Sequence, residues 1–126
     1  MLLALSLLAS AATAYADEAW GVWSDKDGEY TYYFLENSEF RFSGVHGPVE
    51  GVWKTRPDVC SLRGGNKGNL MIYADTGQCC MDAQLLGGKL VLSDIWRKNP
   101  GGGPHMWEVC ANRVLKSVDP RGPKGK

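Results

Sequence analysis

Four cysteines, two histidines and a small set of carboxylates are the side chains that could do chemistry here. Cys60, Cys79, Cys80 and Cys110 with a histidine could in principle hold zinc or copper. The spacing is not C-x-x-C, however, and adjacent residues on a strand point to opposite faces, so Cys79 and Cys80 cannot easily share one ion. Two disulfides suit the count better, and four cysteines allow three connectivities. A vicinal Cys79–Cys80 bond needs a strained ring, so each of the two is expected to join Cys60 or Cys110. His46 and His105 each adjoin a Gly/Pro turn, and there is no Gly-x-Ser-x-Gly element, so the parts of a nucleophilic triad are missing. Asp82 with Asp94 or Glu108 could form the carboxylate pair of a glycoside hydrolase, but acids on strands usually face solvent. The expectation is a protein with no catalytic residue, no metal and no cofactor.

The aromatic residues carry a different chemistry. Of five tryptophans, Trp96 and Trp107 flank a loop running Asn99 to Pro104 that holds three consecutive glycines between two prolines. Trp96, Arg97, His105 and Trp107 together offer flat apolar area, a permanent cation and a group that titrates near neutrality. That combination makes this rim the expected binding surface. Trp23 and Trp53 are expected to be structural.

These residues must be positioned by strands. Period-2 alternation recurs about every ten residues, with turn residues between the segments. The expected strands are Trp20–Trp23, Glu29–Leu35, Glu39–Ser43, Val49–Thr55, Asn69–Ala74, Gln78–Leu85, Lys89–Trp96 and His105–Leu115. A longer loop, Ser61–Gly68, separates the fourth from the fifth. The best helix candidate, Val109–Val118, also suits a strand. The fold class is therefore all-β: an antiparallel meander of about eight strands, closed or nearly closed into a small barrel, with a two-sheet sandwich as the alternative.

Strand faces bear on the cysteines and on Asp94. Met81, Ala83 and Leu85 share a face with Cys79, so Cys79 should point inward and Cys80 outward. Cys110 shares its face with Glu108, which favours Cys80–Cys110 with Cys60–Cys79. Next-but-one strands lie roughly 9–10 Å apart, beyond disulfide reach, so one partner of each pair must sit in a loop or at a strand end, unless the order is not a plain meander. Leu90, Leu92, Asp94 and Trp96 share one face of their strand, and Val91, Ser93 and Ile95 the other. If the first face lines the interior, Asp94 needs Arg97 or Arg113 as partner; if the second does, it is surface.

Residues 1–16 carry no charge and end in Ala14-Tyr15-Ala16, the pattern of a secretory signal peptide. The mature domain is then read as 17–118 with a Pro/Gly/Lys-rich tail, 119–126, and the location as secreted or periplasmic. That location agrees with the cysteine usage. No further segment is apolar enough to insert in a membrane. Acidic and basic side chains balance at 14 each, which removes the global field that nucleic acid would need. The balance is uneven along the chain: nine acidic and four basic residues lie in 17–58, five and ten in 59–126. Pairing across the sheet is the expected reason.

Gly21-Val22-Trp23 and Gly51-Val52-Trp53 repeat a tripeptide thirty residues apart. A Gly-x-Trp on the first strand, followed by alternating aromatic strands, resembles the lipocalin-like and avidin-like barrels. Gly21 to Gly28 looks like the first strand and turn of the avidin family, and Phe40 to Gly44 like its second strand. The resemblance implies a barrel plugged by tryptophan, with glycine where strands cross closely, and a tendency to bind. The sequence thus reads as an exported, disulfide-stapled binding protein for a small apolar ligand or a protein partner. The alternative is a periplasmic inhibitor or immunity-type protein that blocks an enzyme through a surface loop. An aromatic-lined cavity would favour the lipocalin-like binding module, and a filled barrel with a protruding Asn99–Pro104 loop the inhibitor or immunity-type protein.

Overall fold

Alternation of aromatic with polar residues builds the first strands of the computed structural model, which describes residues 21–99 and 105–118. The expected signal segment 1–16, Trp20, the loop residues 100–104 and the tail 119–126 lie outside the described residues. Strands β1 (Gly21–Ser24), β2 (Thr31–Phe34) and β3 (Glu39–Gly44) form a meander. Its register sets Tyr32 opposite Phe42 and Phe34 opposite Phe40. These four rings are fully buried, with Tyr32 edge-on to Phe42 at 5.0 Å and Phe34 at 5.4 Å from Phe40.

The meander continues through β4 (Gly47–Ser61), β5 (Lys67–Ala74), β6 (Gly77–Leu86), β7 (Lys89–Lys98) and β8 (Arg113–Val118). Each strand pairs antiparallel with the next, and β8 returns to β1, where Val22 faces Val118. The result is a closed eight-stranded barrel rather than a sandwich. Closure leaves no sheet edge along most of the wall. The interior is filled: Trp23, Leu70, Ile72, Met81, Leu90, Leu92 and Leu115 pack with the four rings. Trp23 and Trp53 are 6% and 8% exposed, in keeping with a structural role. The Trp53 indole N–H donates to Leu35 O at 2.8 Å. Gly51 is glycine for a steric reason, because a Cβ there would run into the Tyr73 carbonyl on β5.

The segment expected as one strand, His105–Leu115, divides. Residues His105–Val109 form a short helix, α1, and β8 starts only at Arg113. Met106, Val109 and Cys110, spaced as successive residues of one helical face, are all buried in the barrel mouth. The helix ends where the alternative helix, Val109–Val118, was expected to begin.

Strand β4 is also longer than expected, running past Thr55 to Ser61, and with β5 starting at Lys67 it shortens the anticipated Ser61–Gly68 loop to residues 62–66. Its register with β5 breaks between Thr55 and Cys60, around Pro57, which has no N–H to give a ladder. Beyond the break the β4–β5 ribbon lies against β6. At Gly68 an added Cβ would sit 2.6 Å from Met81 O and 2.8 Å from Cys80 Sγ.

The disulfides are Cys60–Cys80 and Cys79–Cys110, with Cα separations of 5.9 and 5.5 Å. The expected exclusion of a Cys79–Cys80 bond holds, and Cys79 joins the interior as read from its neighbours. The favoured pairing, Cys80–Cys110 with Cys60–Cys79, is overturned. Cys110 follows a helix, so in–out alternation does not apply to it, and it enters the mouth beside Cys79. Cys80, on the other face of the wall, meets Cys60 on the displaced ribbon. Each bridge thus has one partner at a loop or strand end, Cys110 between α1 and β8 and Cys60 near the end of β4 past its register break, which satisfies the distance constraint. The bridges point to an oxidising, extracellular or periplasmic environment. Among the described residues, no helix is long and apolar enough to cross a membrane.

Candidate functional site

Helix α1 caps one end of the barrel, and the residues expected to bind gather on it and on the adjoining end of β7. A bulge decides which face each β7 residue takes. Asp94 pairs with Met81 and Trp96 with Cys80, so Ile95 is the extra residue. Leu90, Leu92 and Asp94 therefore keep the barrel-lining side, while Trp96 is transferred to the outer side with Cys80. There its indole N–H donates to Ser61 O at 3.0 Å, and Lys98 Nζ lies 5.7 Å from its ring centre.

Arg97 returns to the mouth opposite Cys79. Its Nη1 is 3.2 Å from Asp94 Oδ2, and its guanidinium lies 4.2 Å from the centre of the Trp107 ring. Trp107 is 60% exposed, the most exposed large hydrophobic residue among those described. The Asp94 question is thereby answered: it faces the lining side, and Arg97, not Arg113, is its partner. Burial pushes the Asp94 carboxyl above the usual range, Arg97 opposing the shift. Asp94 Oδ1 is buried with no hydrogen-bond partner.

His105 opens α1 and lies near Gly47, where an added Cβ would be 3.8 Å from its Nε2. Of the four expected rim residues, the structure thus places Arg97 against Trp107 and His105 on the same helix, and sets Trp96 on the outer wall. Two neighbours went unread in the sequence as part of this rim. Glu108 is buried, and its Oε1 accepts the backbone N–H of His46 at 3.2 Å while Oε2 lies 3.1 Å from His46 Nδ1. This carboxylate clamps the β3–β4 turn to the helix and leaves Val45, 58% exposed, at the turn's tip. The signal available was the pair His46 and Glu108, which have few other charges near them in sequence.

Below the surface, Tyr32 and Arg113 hold the helix in place. Tyr32 Oη donates to Val109 O at 2.7 Å and accepts from Arg113 Nε at 3.1 Å. Arg113 Nη2 donates to Glu108 O at 2.8 Å, and its guanidinium covers the Tyr30 ring at 3.7 Å. A cation on the last carbonyls of a helix also suits its dipole. Burial raises the Tyr32 phenol well above the ordinary tyrosine range, with Arg113 opposing.

All four cysteine sulfurs are in disulfides. Among the described residues no hydroxyl is hydrogen-bonded to either histidine, and no group of three His, Cys, Asp or Glu is set to hold a metal ion. Asp82 bonds to Gln84 on the outer wall, away from Asp94 and Glu108. Charge is also segregated. Because strands follow chain order, the acidic half of the sequence builds β1–β4 and the basic half builds β5–β8. The expected pairing across the sheet does not neutralise the two. The Glu39–Arg41 and Asp94–Arg97 pairs each lie within one half, and Lys89 even faces Lys116 across β7 and β8. Comparison of the chain with protein-family models, with curated proteins and with solved structures returns no match.

Proposed function

We propose that this chain is an exported binding protein that engages a protein partner at the helix-capped end of its barrel. The carrying observation is Trp107, exposed on the helix with the Arg97 guanidinium packed on its ring at 4.2 Å. Tryptophan and arginine are the side chains most often found at the energetic centre of protein interfaces. The filled interior supports a partner at the surface over a small apolar ligand inside the barrel. The lipocalin-like and avidin-like resemblance then describes the wall, not the mode of binding. An inhibitor or immunity-type role is the form this reading takes when the partner is an enzyme. The cations Arg97 and Lys98 on the adjoining end of β7 suit a partner with an acidic face.

Native mass spectrometry of the protein purified from its source tests the reading. A retained partner of protein mass is expected, lost in Trp107→Ala and Arg97→Gln while their melting temperatures stay within a few degrees of wild type. A retained small molecule, or a complex indifferent to both substitutions, would overturn it.

A further inference from the structure

At the end of the barrel away from α1, an open cleft of about 430 Å³ lies between the β2–β3 turn and β4. It is lined by Glu36, Ser38, Trp53, Lys54, Thr55 and Arg56. Its volume falls within the range of small-molecule sites.

The turn itself is unusual. Ser38 has φ +71°, the left-handed region that favours glycine or asparagine. Its carbonyl accepts the Trp53 N–H at 2.9 Å, tying the turn to the cleft floor. Glycine would satisfy this backbone with less strain. What serine adds is a hydroxyl, and it lines the cleft.

The strand beside it is only half used. β3 begins only at Glu39, opposite Val52, while β4 runs on past that point to Ser61. Since the Trp53 N–H points to the β3 side, ladder alternation turns the Thr55 N–H and C=O the same way, into the space β3 has vacated. Pro57 and the charges of Lys54, Arg56 and Asp58 along this edge oppose addition of another strand. A compact occupant fits better than an extended peptide. Among the described residues, neither Arg56 nor Glu36 is in an ion pair, and no protein group hydrogen-bonds to the Ser38 or Thr55 hydroxyl. Lys54 Nζ is drawn to the Tyr73 ring at 5.8 Å, so Arg56 is the cation best able to meet a ligand.

We propose that this cleft binds a sugar acid, a hydroxylated ring carrying one carboxylate. Arg56 takes the carboxylate, for which its planar fork of donors is shaped. The hydroxyls of Ser38 and Thr55 and the Thr55 amide exchange hydrogen bonds with the ring hydroxyls, and Glu36 accepts from others. Trp53 forms the apolar floor. This site is independent of the helix-capped end.

The test is a titration of the oxidised full-length protein with D-glucuronate, D-glucose and acetate, followed by amide chemical shifts. Glucuronate is expected to bind saturably and to move residues 36–38 and 53–56. Glucose and acetate should each bind at least tenfold more weakly. Arg56→Gln, at an exposed position, should weaken glucuronate at least tenfold, and Ser38→Gly, which relaxes the turn, about fivefold. Absence of saturable glucuronate binding overturns the proposal. So does equal binding of glucose or acetate, a shift pattern elsewhere on the barrel, or wild-type affinity in Arg56→Gln.

Discussion

Replacing Tyr32 by Phe should loosen helix α1 without hollowing the core, because only one oxygen is lost from a ring that stays packed between Phe34, Phe40 and Phe42. That oxygen carries two hydrogen bonds, to Val109 O at 2.7 Å and from Arg113 Nε at 3.1 Å. A buried neutral bond contributes about 1 kcal/mol and one to a charged group about 1.5–3 kcal/mol. Arg113 is partly exposed, and water can replace some of its loss. A destabilisation of about 2 kcal/mol follows, or roughly 8 °C in Tm for a domain of this size. Thermal melts under oxidising conditions measure it. Hydrogen exchange should show the loosening locally, with the Cys110 amide, which donates to Met106 O at 2.9 Å, exchanging faster. The raised phenol adds a pH signature. A proton held more tightly in the folded state contributes stability below the ordinary tyrosine pKa of about 10, and that contribution is lost as pH rises beyond it. The alkaline fall in stability should be shallower in the Phe variant. A double-mutant cycle with Arg113→Met should return a coupling of about 1 kcal/mol or more. If Tyr32→Phe melts within about 0.5 kcal/mol of wild type and the cycle is additive, the network does not hold the helix.

Ser38→Gly should raise stability by about 0.5–1 kcal/mol by relieving the left-handed strain, read from urea midpoints; a loss would mean the serine side chain stabilises the turn. Replacing Cys60 and Cys80, or Cys79 and Cys110, by serine pairs should each lower stability by about 3–4 kcal/mol. Only the second pair should also speed exchange in α1, and equal exchange in both would contradict the assignment of Cys110 to the mouth. Asp94→Asn should be at least as stable as wild type at neutral pH, because burial makes the ionised carboxylate unfavourable there. Its advantage should vanish as acid protonates Asp94, so an advantage that grows on acidification would refute the burial argument.

Strand number and closure were legible because Tyr30, Tyr32, Phe34, Phe40 and Phe42 alternate so regularly with polar residues that one face must be buried. The inward direction of Cys79 was legible for the same reason, from Met81 and Ala83. Helix α1 was not. Five residues are too few for a helical period to stand out, and His-Met-Trp-Glu-Val reads equally well as alternation. That misreading carried over to Cys110, whose assigned face depended on a strand. Trp96 was misplaced by a single unpaired residue, Ile95, which reverses the face of everything after it on β7. A one-residue bulge leaves no compositional mark. At the rim, Arg97 packs on Trp107 and His105 begins the same helix. The Glu108–His46 clamp joins residues 62 apart in the chain and depends on the helix that the sequence did not disclose.

The pairing of β1 with β8 brings Val22 beside Val118, so the first and last strands enter and leave the barrel side by side. They do so at the end marked by the β2–β3 turn, since Gly21 pairs with Phe34, while β8 starts at Arg113 beneath the helix. A tag, tether or fusion joined to either strand would therefore emerge on the far side from Trp107 and Arg97 and hold that end outward. The same adjacency makes the barrel a natural circle. A short linker from β8 to β1, with new ends opened in the exposed Leu62–Asn66 turn, would preserve every strand pair and both disulfides in a permuted chain.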